Sequence, residues 1–276
     1  MAGRFVDLHV HSVFSDGSMT PEEIVEAAVL NDVGLLAIAD HNIVEGGIAA
    51  RKLCEGHGIQ YVNAVEIEAL DRGENRHILG YGFDINDRGF KEFVGYMRFL
   101  LDEISIKLLE LMRRDYPGFT FGDFDAFCYD RGLGGWKMLH YLMAKGLTSS
   151  LMEGVKFYSK YGMTYKESGF STVAAVAYRI RQAGGYAVLA HPGETLNATD
   201  IGAFKEELRR IVNIGVDGIE CYHPAHTQAV TQACLEVCGE GDLLVTGGSD
   251  CHGVFGKTLV GEMKVKRDML RLKDLV

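Results

Sequence analysis

The chain has 276 residues, 47% of them apolar and 24% charged, and only four are proline. This is globular composition at a length that suits one large barrel or two modest domains. Its 38 Asp and Glu outnumber 28 Lys and Arg, giving a net charge of −10 with no basic run, so a partner held by nucleic-acid phosphates, a duplex above all, is not expected. The six cysteines (Cys54, Cys128, Cys221, Cys234, Cys238, Cys251) form no Cys-x-x-Cys pair. They read as small buried thiols of a reducing compartment, although Cys234 and Cys238, four apart on a predicted helix, also have a metal-compatible spacing. No apolar run reaches membrane-spanning length, and residues 1–4 lead straight into a strand. The expectation is a cytoplasmic chain with no signal peptide and no membrane partner.

The first 85 residues alternate strand and helix. A strand is predicted over 5–9, and Thr20-Pro21-Glu22-Glu23 supplies an N-cap, a first-turn proline and early acids for a helix to about residue 31. Residues 35–39 form an apolar run typical of a strand buried on both faces. A helix over 42–57, a strand over 60–67 and a strand over 77–81 follow. Such βα units imply parallel strands joined by right-handed crossovers. Residues 86–170 change character: a long helix over 90–116 carries apolar residues at Phe93, Met97, Leu100, Leu101, Ile104, Leu108 and Leu111, and shorter helices are predicted over 121–129, 136–145 and 151–161. These make a helical insertion or cap between two barrel segments, 1–85 and 171–276. Alternation resumes with helices over 172–183, 200–214 and 227–238 and strands over 186–190, 218–222 and 243–246. The sum is about seven strands, an α/β chain close to a (β/α) barrel with a helical insert.

Reacting groups in α/β folds gather at the C-terminal ends of parallel strands, and the unusual polar residues fall there. His9 and His11 end the first predicted strand, Asp40-His41 the second and Glu66 the third. His77 opens the fourth, His191 ends the strand after the insert, Glu220 and His223 flank the next, and Asp250 and His252 follow the last. Asp16 lies in the loop after the first pair. His9 and His11, like Asp250 and His252, are two apart, so on an extended chain each pair aims at one side. Imidazoles and carboxylates without a thiolate suit divalent zinc, iron, manganese or magnesium, and such a crowd of carboxylates and histidines calls for bound cations.

In combination, His9-Val10-His11, Ser15-Asp16-Gly17, Ala39-Asp40-His41, Glu66, Ala190-His191-Pro192 and Gly248-Ser249-Asp250-Cys251-His252-Gly253 resemble the ordered motifs of the PHP (polymerase and histidinol phosphatase) family over residues 5–83 and 172–262. The resemblance implies a distorted (β/α)7 barrel holding two or three divalent ions. It assigns His9, His11, Glu66 and Asp250 to a first ion, with Glu66 bridging to a second completed by His77 and His191, and Asp16, His41 and His252 to a third. Asp40 then sits behind His41 and orients its ring, and Cys251 points away from the site.

Such a cluster implies hydrolysis of a small phosphate ester, of a nucleotide or similar metabolite, by a metal-bound hydroxide. His223 and His226 become candidates for contacts at the mouth. Many small phosphatases of the family carry an Arg-Pro-His-like stretch in the insert; here Gly134-Gly135-Trp136-Lys137-Met138-Leu139 stands in its place, leaving Lys137 and Arg131, or Arg179, to contact the substrate. Alternative readings are a metal-stabilised binding or regulatory module with little turnover, a metal-dependent amidohydrolase, and a histidinol phosphatase. A polymerase-linked exonuclease is disfavoured by the acidic charge. Metal identity, leaving group and oligomeric state are left open.

Overall fold

A computed structural model describes residues 4–276. The start of the chain, read above as free of a leader, falls in residues 1–3 and lies outside the described residues.

Short 3₁₀ turns aside, the order is β1 (Phe5–Val10), α1 (Pro21–Leu30), β2 (Val33–Ile38), α2 (Glu45–His57), β3 (Gln60–Tyr61), β4 (Ala64–Asp71) and β5 (Glu74–Tyr81). Four helices follow: α3 (Arg88–Met112), α4 (Phe121–Ala126), α5 (Lys137–Ala144) and α6 (Leu151–Lys160). The last part contains α7 (Val173–Gln182), β6 (Tyr186–Leu189), α8 (Pro192–Thr195), α9 (Ile201–Ile214), β7 (Gly218–Tyr222), α10 (Gln228–Glu240), β8 (Leu244–Gly247) and β9 (Val265–Lys266). Helix α1 begins as its sequence dictates. Thr20 accepts the Glu23 N–H, Glu23 returns a bond to the Thr20 N–H, and Pro21 fills the first turn.

Two expectations about the strands need correction. The single strand expected over 60–67 is two, β3 and β4, interrupted where Asn63 turns to hold Phe83 O and accept the Gly82 N–H. The strand expected over 77–81 begins at Glu74 and runs antiparallel to both neighbours, β4 and β6. Its cause is the two-residue link Arg72-Gly73, both at positive φ (53° and 86°), the conformation of a tight hairpin turn. A link that short cannot make a parallel crossover.

The strands form two sheets, ordered β3-β2-β1-β9 and β4-β5-β6-β7-β8, nine strands among the described residues in place of about seven. Parallel pairs are β1–β2, β2–β3, β6–β7 and β7–β8. Among the described residues no continuous ladder closes the sheets into one ring. Isolated parallel bridges link them at two points, His41 to Glu66 and Val10 to Cys251. Both bridges involve or adjoin residues singled out above as ligands, so the seams of the fold lie at the candidate site.

Between the sheets lies a core of Val6, Leu8, Leu35, Leu79, Val188 and Leu244, with buried Tyr81 donating its hydroxyl to Leu8 O at 2.9 Å. Helices α3, α7, α9 and α10 cover the five-stranded sheet through Met97, Val176, Ile180, Phe204, Leu208 and Val237. Helices α1 and α2 cover the other through Ile24, Val25, Ala28, Ala50 and Cys54. The first half of α3 belongs to the core under the five-stranded sheet. Its last turns join Phe119, Phe124, Met138, Tyr141 and Leu142 in a separate cluster. Helix α3 thus contributes side chains to both the sheet core and the helical segment. No helix among the described residues is long and apolar enough to cross a membrane.

Candidate metal centre

Alternation alone does not bring His9 into the interior. Val6 and Leu8 face the core between the sheets, so strict alternation would turn His9 the other way. The register of β1 against β2 shifts between Asp7 and Val10, where three steps along β1 match two along β2. This bulge re-aims the strand: His9 and His11 point into the site, and Val10 packs outward among Ile24, Leu36 and Ile38. A second shift in β7, between Glu220 and Tyr222, accompanies the arrival of Glu220 and His223 on one side although they are three apart. The reversed direction of β5 does the same for His77, which pairs with Glu68 of β4. His191 (φ 25°) and Asp250 (φ 49°) sit at positive φ, strain of about 1–3 kcal/mol each that sites of function commonly store.

The side chains meet in three groups. His9 Nε2 and His11 Nε2 are 3.1 Å apart, and each lies 3.3 Å from Glu66 Oε2. Asp250 Oδ1 is 3.1 Å from His11 Nε2 and 3.4 Å from His9 Nε2. The other oxygen, Glu66 Oε1, is 3.0 Å from His77 Nδ1 and 2.9 Å from His191 Nε2, which are themselves 3.3 Å apart. Asp16, His41, His252 and His11 form the third group, with Asp16 Oδ1 3.4 Å from His252 Nε2. Glu66 therefore faces two groups with different oxygens.

These residues fit divalent ions. Donors about 2.1 Å from a common ion lie about 3.0–3.4 Å from one another, the spacing seen around Glu66. Asp16 Oδ1 and Asp250 Oδ1 are buried without a hydrogen-bond partner among the described residues. Lone pairs that converge without hydrogens between them need a cation or trapped protons. With protons alone, burial lowers the pKa of His11, but bonding to Asp250 and Glu66 outweighs it and pushes it up to about 9. For His41, Glu66 and Asp16 overcome burial and push it up to about 10. Burial would raise Glu66 and Asp250, yet the histidines around them hold both well below the usual carboxylate range.

A ring of outer partners, most of them unmarked by sequence motifs, turns the ligands inward. His9 Nδ1 is 3.0 Å from Glu220 Oε1, His41 Nδ1 is 3.0 Å from Glu68 Oε1, and His252 Nδ1 donates to Asp250 O at 2.8 Å. The bonds at His9 and His252 leave Nε2 with its lone pair toward the cluster, while Glu68 places its charge beside the outer edge of the His41 ring. Glu68 also accepts from Asn42. Asp40 does not take the part expected of it: it accepts from Ser12 N, Ser12 Oγ and Ser15 Oγ and so shapes the loop carrying Asp16, leaving His41 to Glu68. Cys251 turns away, its Sγ donating to Thr258 O at 3.1 Å.

Asp7 clamps the two ends of the chain together beneath the cluster. It accepts from Ser249 N (2.9 Å), Ser249 Oγ (2.7 Å) and Gly261 N (2.7 Å), and burial pushes its carboxyl up to about 6 against those donors. Asp7→Ala leaves two buried amides without an acceptor. A loss of about 3 kcal/mol is expected, read as a fall in Tm of several degrees by calorimetry.

The residues expected to touch substrate divide. His223 is buried at the cluster, with Ala225 N–H donating to its Nδ1 and its Nε2 3.3 Å from Asp250 Oδ2. His226 is tied at both nitrogens, Nδ1 to Cys221 O and Nε2 to the Gly193 N–H, and burial holds it down at about 4, neutral. Lys137 gives its ammonium to Asp125 O and lies over Phe124. Arg131 donates to the Tyr129 hydroxyl, and Arg179 stacks on Phe93 away from both. Trp136 stands 5.8 Å from His41, ring to ring, and Arg98 lies over it at 5.2 Å. Gly134 and Gly135 dock the helical segment on the site: Gly135 N–H donates to Asp16 O at 2.7 Å, and a Cβ on Gly134 would lie 2.5 Å from Phe255 Cβ.

This arrangement has counterparts. The family model described as PHP domain matches residues 7–121. A phosphoribosyl 1,2-cyclic phosphate 1,2-diphosphodiesterase of Eggerthella lenta is 35% identical over 260 residues, covering 91% of this chain and 95% of the relative. The chain belongs to the PHP domain family. A 5'-3' exoribonuclease of Haemophilus influenzae is 26% identical over 260 residues, 93% of each chain. Among solved structures, one from Bifidobacterium adolescentis assigned as a metal-dependent phosphoesterase superposes with a TM-score of 0.76 at 25% identity, covering 96% of this PHP chain and 93% of the other.

Proposed function

We propose that this PHP protein is a metal-dependent phosphoesterase that hydrolyses a small phosphate ester, of a sugar or nucleotide, at a cluster of two or three divalent ions. The observation that carries the reading is Glu66, whose two oxygens face two separate histidine groups at ligand-to-ligand spacing. His9, His11, Glu66 and Asp250 would hold one ion, Glu66, His77 and His191 a second, and Asp16, His41 and His252 a third. The donor set contains no thiolate, which suits zinc, iron, manganese or magnesium. When bound, such ions supply Lewis acidity toward water and toward phosphate oxygens.

The chain's own residues prepare this chemistry. Glu220 bonds the outer nitrogen of His9 and Glu68 stands 3.0 Å from that of His41, which orients both rings toward the cluster before substrate arrives. His223 accepts the Ala225 N–H at Nδ1 and therefore carries its proton on Nε2, from which it can donate to a phosphate or leaving-group oxygen. Trp136 and the helical segment, which we read as an insertion spanning 86–170, roof the His41 side and limit water there. The bridges from His41 to Glu66 and from Val10 to Cys251 support reading the two sheets as a distorted (β/α)7 barrel.

The Eggerthella relative favours a cyclic or sugar phosphate as substrate, and the Haemophilus relative favours an RNA end. A panel of phosphate mono- and diesters, nucleotides and a short RNA, offered to metal-reconstituted protein with His9→Ala as control, tests the proposal. Phosphate release from a small ester, lost in the variant, is the expected result. Release only of mononucleotides from RNA favours the second reading, and tight metal binding with no release from any ester overturns both.

A further inference from the structure

Helix α8 follows His191 directly and carries a carboxylate that no ligand motif marks. Glu194 N–H donates to His191 O at 2.9 Å, a turn that brings the Glu194 side chain back to the His191 ring. The backbone on either side is tied down: Gly193 N–H donates to His226 Nε2, and Thr195 O accepts from Arg76 Nη1 at 2.8 Å. The side chain itself is half-exposed and makes no hydrogen bond among the described residues. Its Oε2 stands 4.0 Å from His191 Nδ1. One ligand atom each of Glu194, His191 and Asp250 lies within 4.8 Å of the other two.

His191 Nδ1 is the exception among the rings of the cluster. Each other imidazole assigned to an ion has a polar atom within 3.5 Å of its outer nitrogen: Glu220 at His9, Ser15 at His11, Glu68 at His41, Asn75 at His77 and the Asp250 carbonyl at His252. His191 Nδ1 is buried and has no hydrogen-bond partner among the described residues. A neutral imidazole has one lone pair and one N–H. Nε2 lies 2.9 Å from Glu66 Oε1 and needs the lone pair for the second group, so Nδ1 carries the hydrogen. The same count leaves Nδ1 no lone pair for an ion of its own. Asp250 is not free to accept that hydrogen: Oδ1 faces His9 and His11, and Oδ2 lies 3.3 Å from His223 Nε2. Glu194 is the remaining carboxylate in reach, and a side-chain rotation of about 1 Å brings it to hydrogen-bond distance.

We propose that Glu194 is a positioning residue of the metal centre. Its carboxylate accepts the His191 Nδ1–H, which fixes Nε2 as the nitrogen turned to Glu66 and makes it a stronger donor. The partners of His9 and His41 are buried on strands, whereas Glu194 reaches His191 from the rim. The hold of His191 on its ion then depends on one exposed side chain. This rests on the assignment of His191 to the second ion, whichever ester is cleaved.

The test reads zinc affinity, not turnover. Chelator-stripped protein is titrated with zinc against a chromophoric chelator in the wild type, Glu194→Ala, Glu194→Gln, His191→Ala and the double variant. Glu194→Ala is expected to weaken one zinc about 10- to 100-fold, and Glu194→Gln less, because its amide oxygen still accepts the N–H. In the His191→Ala background, Glu194→Ala should have no further effect. Stripped Glu194→Ala should keep the wild-type Tm; a lower one would make the role structural and overturn the proposal. Wild-type affinities in Glu194→Ala beside a weakened zinc in His191→Ala overturn the proposal alone, and wild-type affinities in His191→Ala overturn the second-ion assignment with it. An equal loss from Glu194→Ala in both backgrounds also overturns it, since Glu194 would then act only through its charge at the rim. NMR of zinc-loaded protein needs no change at His191. The His191 Nδ1–H should exchange slowly with solvent in the wild type and faster in Glu194→Ala, and equal exchange in the two overturns the proposal.

Discussion

Glu66→Gln is expected to lower phosphate release at least about a thousandfold and to remove at least one metal ion per chain. Outer partners of metal ligands commonly cost 10- to 100-fold when lost, and Glu66 stands inside that shell. Its oxygens contact His9, His11 and His41 on one side and His77 and His191 on the other. Glutamine preserves the volume but replaces one oxygen by an NH₂ group, which has no lone pair to offer and points hydrogens at imidazole nitrogens. It also removes the negative charge that two groups share. Elemental analysis and steady-state phosphate release on the same sample check both parts. Wild-type turnover in the variant would mean that Glu66 is only a proton holder among the histidines.

Gly248→Ala should damage stability and site together. Gly248 follows β8 and lies against β1, where an added Cβ would fall 2.5 Å from His9 N and 2.5 Å from His9 Cβ. Both are fixed atoms of a bulged strand, so the contact cannot be relieved by a rotamer change. Overpacking of this kind costs about 3 kcal/mol, and the displacement falls on His9 itself. The expected outcome is a Tm lower by several degrees, with metal content reduced in protein that still folds. A variant with wild-type Tm and full metal content would show that β1 has more room than its register allows.

Much of this was legible in the sequence because the chemistry is concentrated. His9, His11, His41, His191, Asp250 and His252 stand beside strand ends in readable motifs, and the strand–helix alternation around them is plain. What escaped the reading was set by register and direction. The bulge in β1 that turns His9 inward has no residue signature, since Asp7-Leu8-His9-Val10 reads equally well as a regular strand. The hairpin at Arg72-Gly73 reversed β5 because a non-glycine residue adopted positive φ, which a turn rich in Asn or Asp would have announced more clearly.

The supporting carboxylates were harder still. Glu68 and Glu220 lie on buried strands, two residues from Glu66 and three from His223, and nothing local distinguishes a carboxylate that orients a ring from one that holds an ion. Asp40, adjacent to His41, was assigned to its neighbour by proximity, whereas the chain turns at that point and delivers it to Ser12 and Ser15. The placing of Arg98 over Trp136 was invisible for the same reason: the period of α3 gives its inner face, but not what the face meets. Spacing within an element could be read; contacts between elements could not.

Metal dependence is tested most directly by a single titration: phosphate release by chelator-stripped protein as one divalent ion is added back, with bound metal measured at each point. Hydrolysis that is absent from stripped protein and rises with bound metal to a plateau at about two or three ions per chain is the predicted result. Undiminished hydrolysis with fewer than about 0.1 ions per chain, or no hydrolysis at full occupancy, would contradict it.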